Sequence, residues 1–558
     1  MENTFDAIVT GSGISGGWAA KELCDKGLKT LVLERGRNIE HIKDYPTANL
    51  DPWKFRHRGM LTRKQREETS LSGGGHEDNH FFYVKDQDHP YVQEKPFRWR
   101  RGYQVGGRSL TWGNACQRWS EFEFTAPGRF GYGLEWPIGY KDIAPWYSHV
   151  ERFTGICGNR DGLEAMPDGE FLPPFDLNHV EKVLQERISK NYKDRHMVQG
   201  RFSFLTKPEA IHLEQGRGKC MAGNLCGRGC FFGAYFSSVS STLPWARKTG
   251  DMTLRPFSVV HSIIYDDRVG KASGVRVVDT NTKETFGFFA RIIFVNASAL
   301  NSNLILLNSI SNRFPDGLGN DNGLLGRYIC HHNYRGQLYA EMEGYEETYY
   351  YGRNPSEAIL VNYRNLHHQD TDYVGGFTTF MGAYRSLLIP TTELGIGGAY
   401  KDSLTEPGPW QVYMYMQGET IPKVTNHARL SKDRKDQWGI PLLVISVEYD
   451  DNDEKMLKDF LTQGAEMLEA AGCRNIEQYD TQSPPGAETH EMGGGRMGFD
   501  PKTSMLNEWN QLHLCKNVFV TDGACMTSTG NQSPSFLYMA LTARAVDHAI
   551  AEMKRGFL

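Results

Sequence analysis

Three clusters in this 558-residue chain have residue types and spacings that could do chemistry. The first is Gly11-Ser12-Gly13-Ile14-Ser15-Gly16, followed by Glu34 eighteen residues after the last glycine. In such a pattern Gly11 permits a tight turn, Gly13 lets backbone approach a pyrophosphate, and Gly16 allows close helix–strand packing. Ser15 lies in the same phosphate-facing turn at a helix N-terminus, and Glu34 is placed to accept hydrogen bonds from a ribose. The pattern points to a dinucleotide without separating NAD from FAD. The second cluster is "THEMGGGRMG", which sets His490 before a run of glycines. The third is "KCMAGNLCGRGCFFGA", with Cys220, Cys226 and Cys230 inside eleven residues. Three chemistries fit it: a structural zinc, which wants four ligands and finds only His212 nearby; isolated small apolar thiols; or an iron–sulfur cluster, three thiolates favouring [3Fe-4S].

These residues need elements to position them. "FDAIVTGSGISGGWAAKELCDKGLKTLVLERG" reads as strand, turn, small-residue helix (17–24) and second strand. Residues 35–100 are irregular and polar, as in an insertion or lid. An amphipathic helix is predicted within 176–196, and strands alternate from about 253 to 298. Short strand candidates separated by turn residues fill 335–450, predicting a mainly antiparallel sheet closed by a helix over about 453–471. The fold class is therefore α/β. A discontinuous Rossmann-like domain (1–50, 96–120, 200–334 and 475–558) carries the dinucleotide, and a second domain (335–474) binds substrate; 51–95 and 121–199 are insertions and helical connections. Tyr413, Tyr415 and Gln417 alternate on one predicted strand. They suit a ligand-facing wall, and equally any half-buried strand.

Bulk properties exclude other classes. A net charge of −5 without long single-sign runs argues against nucleic acid as a partner. No apolar stretch approaches the roughly 20 residues of a spanning helix, and the opening "MENTFDAIVTGSG" lacks the pattern of a signal peptide. Seven of the ten cysteines are scattered singly, which speaks against a disulfide framework.

Three further stretches carry a resemblance: "GYQVGGRSLTWGNACQRW" (102–119), the His490 segment, and "VFVTDGACMTSTGNQSPSFLYMALTARA" near the end. With "ERG" (34–36), "LGRYICHH" (325–332) and the "GETIPKVTNHARLSKDRKDQWGIP" hairpin (418–441), the chain resembles the glucose–methanol–choline (GMC) family of FAD oxidoreductases from Phe5 to its end. Within that family it looks most like glucoside 3-dehydrogenases and pyranose oxidases.

The resemblance implies FAD, with Gly106, Gly107 and Ser109 along the pyrophosphate and isoalloxazine, Val260 and Ala297 near the adenine, and Asp522 and Gly523 on the ribityl–pyrophosphate segment. No histidine occupies the "VGGRSLTWG" loop, so the flavin is expected to be non-covalent. His490 would take the hydroxyl proton while hydride passes to flavin N5, a task suited to an imidazole that is partly neutral near pH 7. In "GNQSPSF" the family's second polar residue is displaced. Ser533 occupies its place and Asn531 lies two residues earlier, so either is a candidate partner of His490. Iron–sulfur FAD glucose dehydrogenases show a similar cysteine run, which favours a [3Fe-4S] relay on Cys220, Cys226 and Cys230. The implied function is oxidation of a secondary hydroxyl of a sugar or glycoside, C3 of a glucoside, with electrons passed to a c-type cytochrome. A small partner subunit would bear the export signal, giving a bacterial periplasmic location by co-export, or else a cytoplasmic one. An oxygen-using pyranose or glycoside oxidase is the alternative enzyme. A flavin-binding protein without turnover is the alternative of a different class.

Overall fold

The computed structural model describes residues 3–348, 357–387, 396–403, 405 and 407–558. Its first strand, β1 (Thr4–Thr10), is nearly all buried from Ala7 onward, as a central parallel strand covered on both faces must be. It turns at Gly11 into α1 (Ile14–Asp25) and returns as β2 (Thr30–Leu33). Ten of the twelve residues of α1 are buried, so this helix is core rather than surface.

β1 lies between β2 and Thr285–Val295, parallel to both. Met252–Arg255 extends the parallel sheet on one side and Cys515–Val520 on the other. The antiparallel pair Ser258–Asp266 and Lys271–Asp279 runs off its Thr285–Val295 strand. The last helix, Ser535–Lys554, packs on α1. This is the Rossmann-like half that the opening unit predicts, with its helix beginning three residues earlier than expected.

Among the described residues the second sheet has seven strands, all antiparallel. Pro407–Glu419 lies at its centre, between Gly336–Met342 and Phe377–Leu387. The helix Asp451–Ala470 starts at an Asp450 capping box and lays Met456, Leu457 and Phe460 into the core of this sheet. Phe460 approaches so closely that a Cβ on Gly336 would lie 2.5 Å from its ring. Together the two sheets make the mixed α/β architecture expected for the chain.

Two pairings differ from the expected boundaries. Arg474–Asp480, which the 474/475 boundary divides, adds an edge strand to the antiparallel sheet beside Gly336–Met342. The hairpin His427–Lys435 and Pro441–Ser446, expected within the second domain, stands instead in a third sheet with Arg327–Cys330, Met492–Gly494 and Val92–Gln93. Alternation reveals that a strand exists; its partner is chosen by residues a hundred or more positions away. Otherwise residues 35–100 hold only short helical turns and that two-residue strand.

Candidate active site

One cavity of about 570 Å³ runs from the β1–α1 turn to the antiparallel sheet. At the turn, Gly11 has φ +94° and its missing Cβ would sit 2.4 Å from the Asn296 carbonyl oxygen. A Cβ on Gly16 would meet the Gly11 carbonyl oxygen at 2.0 Å, whereas Gly13 has nothing within 4 Å. Packing thus demands two of the glycines, and the middle one leaves open backbone where a ligand can approach. The Gly13 N-cap of α1 carries no side-chain cap, so helix N–H groups remain for an anion. This cradle suits a dinucleotide pyrophosphate.

Gly11, Gly13, Ser15, Glu34, Gly107, Ser109, Val260, Ala297, Asp522 and Gly523 line the cavity. Gly16 and Gly106 stand behind it: Gly106 donates its N–H to Ser12 Oγ (3.0 Å) and a Cβ there would strike Val239. Glu34 accepts from Ser12 Oγ at 2.6 Å and from Gly36 N at 2.9 Å, and burial raises its pKa. Asp522 accepts from Ser302 Oγ and Ala524 N, and burial pushes it up to about 6.

The cavity's chemical end is set by strand register. Met492 pairs with Cys330 across an antiparallel ladder. Two residues back along one strand and two forward along the other bring His490 to His332, Nδ1 to Nδ1 at 2.8 Å. Arg108 holds the backbone around His490 by donating to the Thr489 carbonyl (3.0 Å) and to both carboxylate oxygens of Glu491 (3.2 and 2.7 Å). Burial above all, together with the Arg108 charge, keeps His490 well below the usual imidazole range. It is therefore neutral and can accept a proton.

The two candidate partners separate here. Ser533 lines the cavity and donates to Gln417 Oε1 at 3.2 Å. Asn531 lies outside the lining. Its amide nitrogen donates to Glu123 (3.0 Å) and Glu419 (3.4 Å), while its oxygen accepts from Thr378 Oγ1 (2.8 Å). Burial pushes both carboxylic acids up to about 7.

Beyond His490 the wall consists of Tyr334, Gln337, Glu357, Phe380 and Tyr415, with Trp112 and Phe202 opposite. Phe380 and Tyr415 stack at 5.2 Å and 6°. Tyr413 and Tyr415 each donate to one oxygen of Glu357 at 2.8 Å. Of the three alternating residues, only Tyr415 reaches the cavity; Gln417 supports it from behind, bonded to Tyr334, Ser533 and the Asn531 carbonyl. Sequence reasoning missed Arg108, His332, Tyr334, Glu357 and Glu488. The last is a cavity-lining acid with 1% side-chain exposure, 3.4 Å from His331 Nδ1. Two of them lie inside motifs of the resemblance, His332 at the end of "LGRYICHH" and Arg108 within "VGGRSLTWG".

Cys220, Cys226 and Cys230 are half-buried, while the other seven cysteines are buried as free thiols. All three pack on the apolar cluster whose Trp112, Ala115, Phe202, Phe380 and Tyr415 line the cavity. Their soft-donor chemistry suits iron. Their placement does not, because no three His, Cys, Asp or Glu side chains among the described residues converge to hold a metal ion.

Residues 422–542 match the family model for GMC oxidoreductases. The chain is 26% identical to the 2-methyl-1,2-propanediol dehydrogenase of Mycolicibacterium austroafricanum, over 97% of this chain and 94% of that one. It is 23% identical to the fructose dehydrogenase large subunit of Gluconobacter japonicus, over 99% and 98%. In fold it is similar to the crystal structure of pyridoxine 4-oxidase from Mesorbium loti, with a TM-score of 0.61 and 15% identity over 98% and 99%.

Proposed function

We propose that this chain is a GMC oxidoreductase that uses FAD to oxidise a secondary hydroxyl of a sugar or glycoside to a ketone. The supporting observation is the arrangement at the cavity's chemical end. A neutral histidine stands between the dinucleotide cradle and a pocket that joins stacked aromatic rings to polar groups. Such a pocket suits a ring with an apolar face and hydroxyl edges. The fructose dehydrogenase relative supports a sugar, and C3 of a glucoside follows the resemblance described above.

FAD, when bound, supplies the hydride acceptor. Gly11, Gly13, Ser15, Gly107 and Ser109 would hold it non-covalently, with Asp522 and Gly523 at the ribityl side. His490 takes the hydroxyl proton as the carbon gives up hydride. Ser533, its own proton given to Gln417, offers an oxygen that accepts from a neighbouring ring hydroxyl, not the one being oxidised, and so orients the substrate. Arg108 keeps the His490 backbone from shifting as charge appears on the ring.

For the onward electrons we infer a protein acceptor. The "large subunit" in the relative's name supports a partner subunit, and Met221, Leu225 and Phe232 are exposed on the cysteine loop where one could dock. The non-convergent thiols favour a second reading, re-oxidation by oxygen. Among the described residues no helix is long and apolar enough to cross a membrane.

Anaerobic mixing of purified protein with a glucoside tests the proposal. The flavin bleaches and a keto sugar forms; no bleaching with any sugar or glycoside refutes it. His490→Ala retains flavin but slows bleaching by on the order of 10²–10⁴. Bound iron and acid-labile sulfide with slow re-oxidation in air favour the cytochrome-type acceptor and a [3Fe-4S] relay. Iron-free protein that re-oxidises rapidly in air is an oxidase.

A further inference from the structure

His332 has no solvent exposure and makes contacts at both ring nitrogens. Its Nε2 lies 2.9 Å from the Gly530 carbonyl oxygen and 3.2 Å from that of Thr529. Carbonyl oxygens only accept, so this nitrogen must carry a proton. Burial pushes His332 down to about 4, so the ring is neutral and has one proton to place. Its Nδ1 is then a bare lone pair, 2.8 Å from His490 Nδ1. Two lone pairs do not face each other at that distance, so His490 must donate from Nδ1. In a neutral His490 this leaves Nε2 unprotonated on the ring edge away from His332.

From this geometry we propose that His332 is a positioning residue that fixes the tautomer of His490, making Nε2 the atom that receives the substrate's hydroxyl proton. The proposal rests on the alcohol-oxidation reading of the same site. When His490 takes that proton, its Nδ1–H continues to donate to the His332 lone pair, and the charge stays on His490. The proton goes no further, because His332 Nε2–H points at two carbonyls that cannot accept transfer. A neutral imidazole therefore does the orienting work often done by a carboxylate. It stabilises the imidazolium less than a carboxylate would, leaving His490 a weaker and more readily discharged base.

The scaffold supports this role. His332 and Asn333 pair with Glu419 and Gly418 of the central antiparallel strand, which fixes the His332 backbone. Gly530, with φ +55°, presents its carbonyl from a turn in which a Cβ would lie 2.9 Å from the Trp119 ring. That turn leads three residues later to Ser533, so one imidazole links the base to the loop bearing its candidate partner.

Nitrogen-15 NMR of the FAD-bound protein labelled at histidine reads the tautomer directly, without substrate. Wild-type His490, assigned by its loss in His490→Ala, should show a protonated Nδ1 and a bare Nε2; the reverse overturns the proposal. In His332→Leu, His490 should show a mixture of tautomers, and anaerobic flavin reduction should slow by about 10²-fold with FAD still bound. In His332→Gln, whose amide can both donate to a carbonyl and accept from His490, part of the rate should return. An unchanged tautomer and rate in His332→Leu would sink the idea. If His332→Leu fails to fold, the wild-type spectrum still decides. If no alcohol reduces the wild-type flavin, the proposed function fails while the tautomer remains measurable.

Discussion

The loops at 11–16 and 219–233 are both rich in glycine, yet their glycines answer to different forces. In the first, Gly11 and Gly16 meet backbone: 2.4 Å to the Asn296 oxygen and 2.0 Å to the Gly11 oxygen for an added Cβ. In the second, Gly223 has nothing within 4 Å and Gly227 meets only Asn79 at 3.6 Å. The loop's shape is held from outside, by Tyr45 against Gly229 and by Arg228 reaching Asp78 and the Leu50 carbonyl. Backbone cannot step aside, whereas a ring or guanidinium can. The first loop is therefore a preformed cradle and the second a segment that its surroundings arrange.

Four substitutions break or sharpen that contrast. Gly16→Ala should cost the most. The new methyl can fit only if α1 moves off β1, so we expect a loss of about 4 kcal/mol or more and protein purified without flavin, read by urea unfolding and the visible spectrum. Retained yellow protein of normal stability would contradict a packed cradle.

Next comes pH. Folding raises Asp522 to about 6 from an unfolded value near 4. The folded chain therefore binds the proton that the unfolded chain releases. The stabilisation is full below about pH 4 and is lost as pH rises through about 6, on the order of 3 kcal/mol. Asp522→Asn removes this slope, so the difference between wild-type and variant urea midpoints should change between about pH 4 and pH 7. In the cysteine loop burial raises the Cys220 thiol farther from neutrality, so that group adds no slope in this range. A constant difference would refute the assignment.

Gly229→Ala is intermediate. At φ +99° the backbone strain and a 2.4 Å approach to the Tyr45 ring together should cost about 2 kcal/mol, with flavin retained. Gly223→Ala should change stability by less than about 0.5 kcal/mol. A large effect there would mean that the cysteine loop is as tightly built as the cradle.

The contrast also explains what could be read in the sequence. The cradle was legible because its glycine pattern lies within one strand–turn–helix–strand unit of residues 4–33, although Gly11 also packs on the distant Asn296. His490 was legible only through its motif. His332 was not, because it meets His490 through a ladder joining residues 158 positions apart. Glu357 was hidden for the same reason: its partners Tyr413 and Tyr415 lie more than fifty residues on. "GNQSPSF" left Asn531 and Ser533 equal, since a one-dimensional spacing cannot say which side chain turns outward. The acids bonded to Asn531, and the place of Ser533 in the cavity lining, separate them.

That arrangement around Asn531 has a consequence for rebuilding the molecule. The central strand of the antiparallel sheet reaches across with Gln417 and Glu419, and Glu123 arrives from the helix Glu121–Arg129. All three grip Asn531, four residues before the last helix begins, so the seam between the two halves is stitched by polar groups sealed from water. The antiparallel sheet is therefore not an interchangeable cartridge. A chimera that imports a new substrate wall has to carry Gln417 and Glu419 with it, or leave the Asn531 carbonyl without its donor and its side-chain amide with one acceptor fewer.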